Sequence, residues 1–274
     1  IAIINGYASN LETYLDNNQV KQIRRDIYKV IDKNPINIGK IEKELSTNNL
    51  NYQIFTWNEN PNFMCSDIYK GKKYNDYGQG FYCTEHMELA KEWSCNEGID
   101  GFANTYELDT SGLKVLNLSS EEYTILHWLA LLIENRRFRV STPVMRRGVL
   151  WLKEHFSVDI SEYDLIIGYR ADDSYFSFAR AFISNEISLS QLNYAMQLGK
   201  LGEQYVLKSK KAFDRIEFIS AELADNTIYY ARRKMRDDEA RSAFFAELEK
   251  EDLGGIYMRD IIREEMTGND ARIR

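Results

Sequence analysis

A chain of 274 residues can hold one large domain or two small ones, and a 44% share of hydrophobic residues is enough for a sizeable core. A net charge of −7 argues against general affinity for the phosphate backbone of nucleic acid, and no apolar run approaches the roughly 18 residues of a membrane span. Three cysteines (Cys65, Cys83, Cys95) without CxxC spacing and three histidines (His86, His127, His155) argue against a zinc site. With no charged, apolar and cleavable leader legible at the start, the expectation is a soluble protein of the reducing cytoplasm.

Val20, Ile23, Ile27, Val30 and Ile31 recur at three and four residues and predict a helix that Pro35 ends. Ile38, Ile41 and Leu45 begin a second. This helical segment, 1–50, reads as a packing appendage or as a DNA-binding or antitoxin-docking element, and its weak basic character favours the first. From Asn51 the texture turns to aromatic and β-branched runs, predicting strands at 52–57, 105–108, 114–118, 163–169, 204–207 and 216–219. Helices are expected between them: from Thr84 to about Cys95, from Ser119 through Ile133 with Glu122 at capping-box spacing, and from Pro143 to about Phe156. Two more are expected at 173–183 and 190–198. After Glu222 a charged helix is predicted from about Asp225 to Lys250, with opposite charges at i, i+4. The basic clusters at 21–25, 208–211 and 232–236 read as solvated faces. A Gly254-Gly255 break precedes a short apolar segment, 256–262. The mixed order of elements predicts an α+β fold, with a core at 51–224 and a charged helical extension at 225–274.

Several segments are candidates for chemistry. Tyr74-Asn75-Asp76-Tyr77-Gly78-Gln79-Gly80-Phe81-Tyr82-Cys83-Thr84 brings two glycines, flanked by aromatics, to a predicted helix start. It reads either as a close approach to a ligand with Tyr82 as a stacking face, or as a β-turn whose aromatics fill the core. In Gly202-Glu203-Gln204-Tyr205-Val206, alternation puts Gln204 and Val206 on one face and Glu203 and Tyr205 on the other. Gln204 there can bind a ribose hydroxyl or face water at a sheet edge. Ala171-Asp172-Asp173 after the strand ending near Gly168 can rim a site, although helix capping accounts for it better. Asn135-Arg136-Arg137 can contact phosphate oxygens or simply answer a helix C-terminal dipole. No GxSxG, HExxH, Walker or GxGxxG pattern is present.

Together and in order, these segments resemble a bacterial family of unknown function that is similar in fold to ADP-ribosyltransferases. The resemblance rests on Gly78-Gln79-Gly80-Phe81-Tyr82-Cys83-Thr84 with Ala90 and Trp93, then Asn135-Arg136-Arg137, then Tyr163-Asp164-Leu165-Ile166-Ile167-Gly168 with Ala171-Asp172-Asp173. It continues through Glu203-Gln204-Tyr205 and Lys210-Lys211-Ala212 to Tyr229-Tyr230, Arg236-Asp237 and Ala240-Arg241. It implies a split antiparallel β-sheet core with flanking helices, clasping NAD⁺ as co-substrate without a metal. It also implies transfer of ADP-ribose to a macromolecular acceptor, as a toxin or effector does, with an antitoxin or regulatory protein as a further partner. Carried over, Tyr82 stacks the nicotinamide, Gln204 binds its ribose, and Thr56 holds the adenosine ribose. Trp57, Asn58, Gly80, Phe81, Asn135 and Arg136 complete the expected cofactor contacts. The chain departs from the pattern where Thr56 replaces a histidine, Trp57 a glycine, and Gln204 a glutamate, which leaves Glu203 as the charged group nearby. The alternative is a catalytically degenerate transferase fold that acts as a protein-binding module.

Overall fold

The computed structural model describes residues 51–58, 72–170, 173–197 and 202–274, with only the backbone of β1 described apart from Ile54. The helices expected within 1–50, together with Cys65, Ala171 and Asp172, lie outside the described residues. The chain divides into two compact units, Ile1–Leu50 and Asn51–Arg274, and the second holds every described residue.

The second unit is α+β. Strands β1 (Asn51–Asn58), β2 (Phe81–Thr84), β3 (Gly101–Asp109), β4 (Val115–Asn117), β5 (Leu165–Tyr169), β6 (Glu203–Leu207) and β7 (Ile216–Ala224) form one sheet in the order β4-β5-β6-β2-β1-β3-β7. Helices α1 (Met87–Ser94), α2 (Ile125–Asn135), α3 (Pro143–His155), α4 (Asp173–Ile183) and α5 (Leu189–Gln197) connect them. They are followed by α6 (Lys210–Phe213), α7 (Asn226–Leu248) and α8 (Met258–Arg263). In place of a sheet antiparallel throughout, β4 and β5 run parallel. Their connection crosses over through α2 and α3, and such a long crossover is what a parallel pair requires. The sheet is narrowest in its centre: β1 pairs with β3 along its whole length, but its registered contact with β2 is Phe55↔Thr84.

The four residues of β2 are too few to show an alternating pattern, so the sequence reads 78–84 as the approach to a helix. The structure makes 81–84 a strand, paired along its length with β6. The helix after it starts at Met87 with His86 in the capping position, and Thr84 Oγ1 accepts from the His86 N–H at 3.2 Å. The capping box of α2 likewise sits later than Ser119 and Glu122. Thr124 and His127 form it, with the Thr124 N–H donating to His127 Nδ1 at 2.9 Å, while the Ser119 N–H closes a turn onto Asn117 Oδ1. Helix α3 opens on Pro143 as expected, with Thr142 as its cap.

Both faces of the sheet are covered at β5 and β6. Ile166 and Val206 join the larger cluster with Trp128, Leu129, Phe178 and Phe182. Leu165, Ile167, Tyr205 and Leu207 face the other way, with Phe81, Cys83 and Tyr106. An apolar run such as Leu165-Ile166-Ile167 therefore lacks alternation because each residue has a core to enter. Burial of each such side chain contributes roughly 2 kcal/mol.

Two polar anchors fix the ends of β5. At its start Asp164 accepts from the Lys114 N–H (2.8 Å), Ser209 Oγ (2.6 Å) and Lys211 Nζ (3.2 Å). Burial acts to raise this carboxyl, and the three donors outweigh it and hold it below the usual carboxylate range. At its end the Tyr169 carbonyl accepts from the Tyr77 hydroxyl (2.8 Å), Trp128 Nε1 (3.1 Å) and Gln204 Nε2 (3.1 Å). Gly168 makes room for this junction, since a Cβ there would collide with Tyr77 Oη and press on Leu118.

Gly168→Ala is expected to cost about 2 kcal/mol in urea denaturation, by forcing the Tyr77 ring off its bond. Asp164→Asn is expected to cost about 1–2 kcal/mol at pH 7. Because the folded carboxyl titrates below its unfolded value, its contribution is complete above roughly pH 4 and is lost as pH falls through the lower folded value. The gap between wild type and Asp164→Asn should therefore narrow between pH 4 and pH 2 in the same assay.

Candidate functional site

Residues 74–80 and β2 form one edge of a cleft of about 450 Å³. Gly78 has a φ of +73°, which closes a turn in which its N–H donates to Asn75 O at 3.0 Å. The Tyr82 hydroxyl reaches back over this turn, donating to Gly78 O (2.7 Å) and accepting from the Tyr77 N–H (3.0 Å). Lys208 Nζ donates to both Tyr77 O and Gln79 O at 2.6 Å, and its burial lowers its pKa. Burial pushes the Tyr82 hydroxyl far above its ordinary pKa, against the Tyr77 N–H, which lowers it. Tyr82 is therefore neutral and offers the cleft a ring rather than a phenolate.

Tyr82 and Gln204 both line the cleft, beside Asn75 and Asp76. Gln204 is buried, and its Nε2 donates to Asp76 Oδ2 (2.9 Å) as well as to Tyr169 O. Asp76 Oδ1 lies 3.4 Å from Arg136 Nε, and the Arg136 guanidinium lies over the Phe176 ring at 5.0 Å. The anion beside Gln204 is thus Asp76, which lies in the 74–84 segment but carried no expected role, while Glu203 sits at the register of Tyr169 and outside the lining.

The other expected contacts fall elsewhere. Phe81 points to the opposite face, edge-on to Tyr106 (5.7 Å) and Phe213 (5.5 Å). At Gly80 a Cβ would come within 2.8 Å of Val206 Cγ1 and 2.9 Å of Leu207 O, so strand packing accounts for this glycine. Asn135 ends α2 with its Nδ2 on Leu131 O and its side chain against Gly78. Thr56, Trp57 and Asn58 lie on β1 at the register of Asn104, Ala103 and Phe102, and their side chains lie outside the described residues. None of the three histidines lines the cleft; His127 packs edge-on between Tyr123 and Phe156.

The far wall comes from α1 and α7. Trp93 of α1 has the Arg170 guanidinium over its ring at 3.8 Å and that of Arg233 at 4.9 Å. Glu92, buried beside it, pairs with Arg236 at 2.8 Å. Burial raises the Glu92 carboxyl and the arginines around it act in the opposite direction. On α7 the lining residues Tyr230, Arg233, Lys234, Asp237 and Arg241 fall three and four apart, on one face. The basic cluster at 232–236 is therefore only in part a solvated face: Arg232 pairs outward with Glu88 at 2.7 Å, while Arg233, Lys234 and Arg236 turn to the cleft. The signal available in the sequence was a charged stripe of helical period on a helix with little apolar face.

Among the described residues, six cations (Arg136, Arg170, Arg233, Lys234, Arg236 and Arg241) meet three carboxylates (Asp76, Glu92 and Asp237) in this lining, in a chain of net charge −7. Four aromatic side chains, Tyr82, Trp93, Tyr175 and Tyr230, lie among them. Guanidinium forks suit phosphate and carboxylate, and aromatic faces suit planar rings. Among the described residues no cluster of His, Cys, Asp and Glu could hold a metal ion, and no helix is long and apolar enough to cross a membrane.

Fold and cleft define an α+β protein with a cleft rich in guanidinium and aromatic side chains between its sheet and α7. Residues 57–218 match the family described as "Protein of unknown function (DUF3990)", and the chain belongs to that family. No curated protein and no solved structure matches it.

Arg236→Met removes the close partner of a buried carboxylate and is expected to cost about 2 kcal/mol. Adding Glu92→Gln should recover at least part of that loss, and thermal denaturation of the two single variants and the double variant measures the coupling.

Proposed function

We propose that the cleft binds NAD⁺ and that the protein is an NAD⁺-dependent ADP-ribosyltransferase-like enzyme acting on a macromolecular acceptor. The observation that carries this reading is the pairing of two kinds of surface in one cleft: aromatic faces and an oriented amide on the sheet side, guanidinium groups on the helix side. A ligand with planar rings, ribose hydroxyls and a pyrophosphate answers all of them. The motif order from Gly78 to Arg241 that resembles ADP-ribosyltransferase-like proteins supports the same ligand.

When bound, NAD⁺ supplies an N-glycosidic bond whose cleavage places positive charge on the ribose. Both N–H groups of Gln204 are engaged by Asp76 and Tyr169 O, and no described residue donates to its Oε1. The amide therefore presents an acceptor of fixed orientation to a ribose hydroxyl. Asp76, 2.9 Å from that amide and held by Arg136, would lend negative charge to a ribose bound at Gln204. Tyr82 contributes its ring, since its hydroxyl is occupied by the loop.

A second reading, a binding module without turnover, draws on that same engagement of Tyr82 and on the packing of its ring against the larger core. Calorimetry with NAD⁺ separates the two. Wild type is expected to bind, Tyr82→Phe to bind comparably, and Tyr82→Ala to weaken binding by roughly tenfold or more, as loss of a stacking face implies. Absence of binding to wild type, with no transfer of label from NAD⁺ to any component of a lysate, would favour the module.

A further inference from the structure

Not every cation of the cleft is available to a ligand. Asp76 lies against Arg136, Glu92 against Arg236 (2.8 Å), and Asp237 against Arg241 (2.9 Å), so each lining carboxylate has its own guanidinium. Arg233 donates to a backbone carbonyl, Cys95 O, at 3.3 Å and stacks on Trp93. Among the described residues no carboxylate pairs with it. Lys234, the next residue, forms no ion pair among the described residues and stands exposed at the mouth of the cleft. Arg236 carries a further donor, Nη1, which is buried without a hydrogen-bond partner among the described residues. Apart from Arg170, which lies over the Trp93 ring at 3.8 Å, the surplus positive charge is therefore concentrated on one turn of α7, across the cleft from Gln204.

We infer that this turn of α7 is a phosphate subsite, in which Arg233, Lys234 and the free edge of Arg236 hold the diphosphate of a nucleotide whose far end reaches Tyr82 and Gln204. The resemblance had given phosphate contact to Asn135 and Arg136. Asn135 is spent on Leu131 O, and Arg136 is spent on Asp76 and Phe176. A guanidinium held over an indole and tied to a carbonyl, as Arg233 is, loses little freedom when its remaining N–H groups bind an oxyanion. The assignment rests on the proposed function only for which nucleotide carries the phosphates.

The test uses the full chain and three probes: NAD⁺, ADP and inorganic pyrophosphate, measured by calorimetry at two salt concentrations. Lys234→Glu is the cleanest variant, because this side chain forms no bond that folding needs; Arg233→Gln and the outward-facing Arg232→Gln accompany it, with melting temperatures as controls. Lys234→Glu and Arg233→Gln are expected to weaken all three probes by roughly tenfold each and to flatten the salt dependence, while Arg232→Gln, outside the cleft, leaves pyrophosphate affinity within about twofold. Pyrophosphate and ADP bound by wild type and lost in Lys234→Glu, with NAD⁺ not bound at all, would keep the subsite and discard the NAD⁺ reading. Unchanged affinity in Lys234→Glu and Arg233→Gln, or a wild type that binds none of the three probes, overturns the assignment.

Discussion

The carbonyl oxygen of Tyr169 is the point on which the rest of the cleft depends. Three side chains donate to it, from the 74–80 loop, from α2 and from β6, so a single backbone atom ties together segments far apart in sequence. The buried hydroxyl of Tyr77 and the indole of Trp128 would otherwise be polar groups without partners inside the core, each a loss of about 1–3 kcal/mol. Satisfying them at one oxygen turns a burial cost into a positional constraint. Gln204 inherits that constraint: one amide hydrogen is held by Tyr169, the other by Asp76, and the oxygen is left with one direction to face. A site residue is thereby fixed by packing rather than by its ligand, which is the arrangement that preorganised sites require.

The opposite wall is held by different means. Helix α7 meets α1 through the Glu92–Arg236 pair and through Arg233 on Trp93, both partly removed from water. Its apolar anchoring is light, with Phe244 edge-on to Phe178 at 4.9 Å and Ala240 buried. One wall thus depends on hydrogen bonds inside a core and the other on charge and cation–π contact at the margin. The second kind weakens with salt and the first does not.

Much of the fold was legible in the chain. Leu165-Ile166-Ile167 and the aromatic run of β1 read as strands, and the apolar helix after residue 124 and the Pro143 start of α3 were plain. The losses have physical causes. Strand β2 has four residues and two glycines just before it, so turn chemistry masked its alternation. The α2 cap moved to Thr124 because His127 can accept through Nδ1, a pairing outside the usual Ser/Glu pattern. Flanking glycines and strand alternation singled out Tyr82 and Gln204, and both line the cleft. Asp76, though inside the 74–84 segment, carried no expected role because one acidic residue in a turn gives no signal until a buried amide 128 positions away reaches it. The α7 stripe was missed because charge at helical spacing looks the same whether it meets water or a cleft.

The narrow join between β1 and β2 divides the sheet into two ladders, β4-β5-β6-β2 and β1-β3-β7. Tyr82 and Gln204 ride on the first. Helix α7 follows directly from β7, with Asp225 capping it, and so rides on the second. Floor and wall of the cleft therefore belong to different halves of one sheet, joined where backbone pairing is thinnest. Helix α1 packs on strands of both halves and meets α7 as well, so one short helix bridges the seam that separates floor from wall.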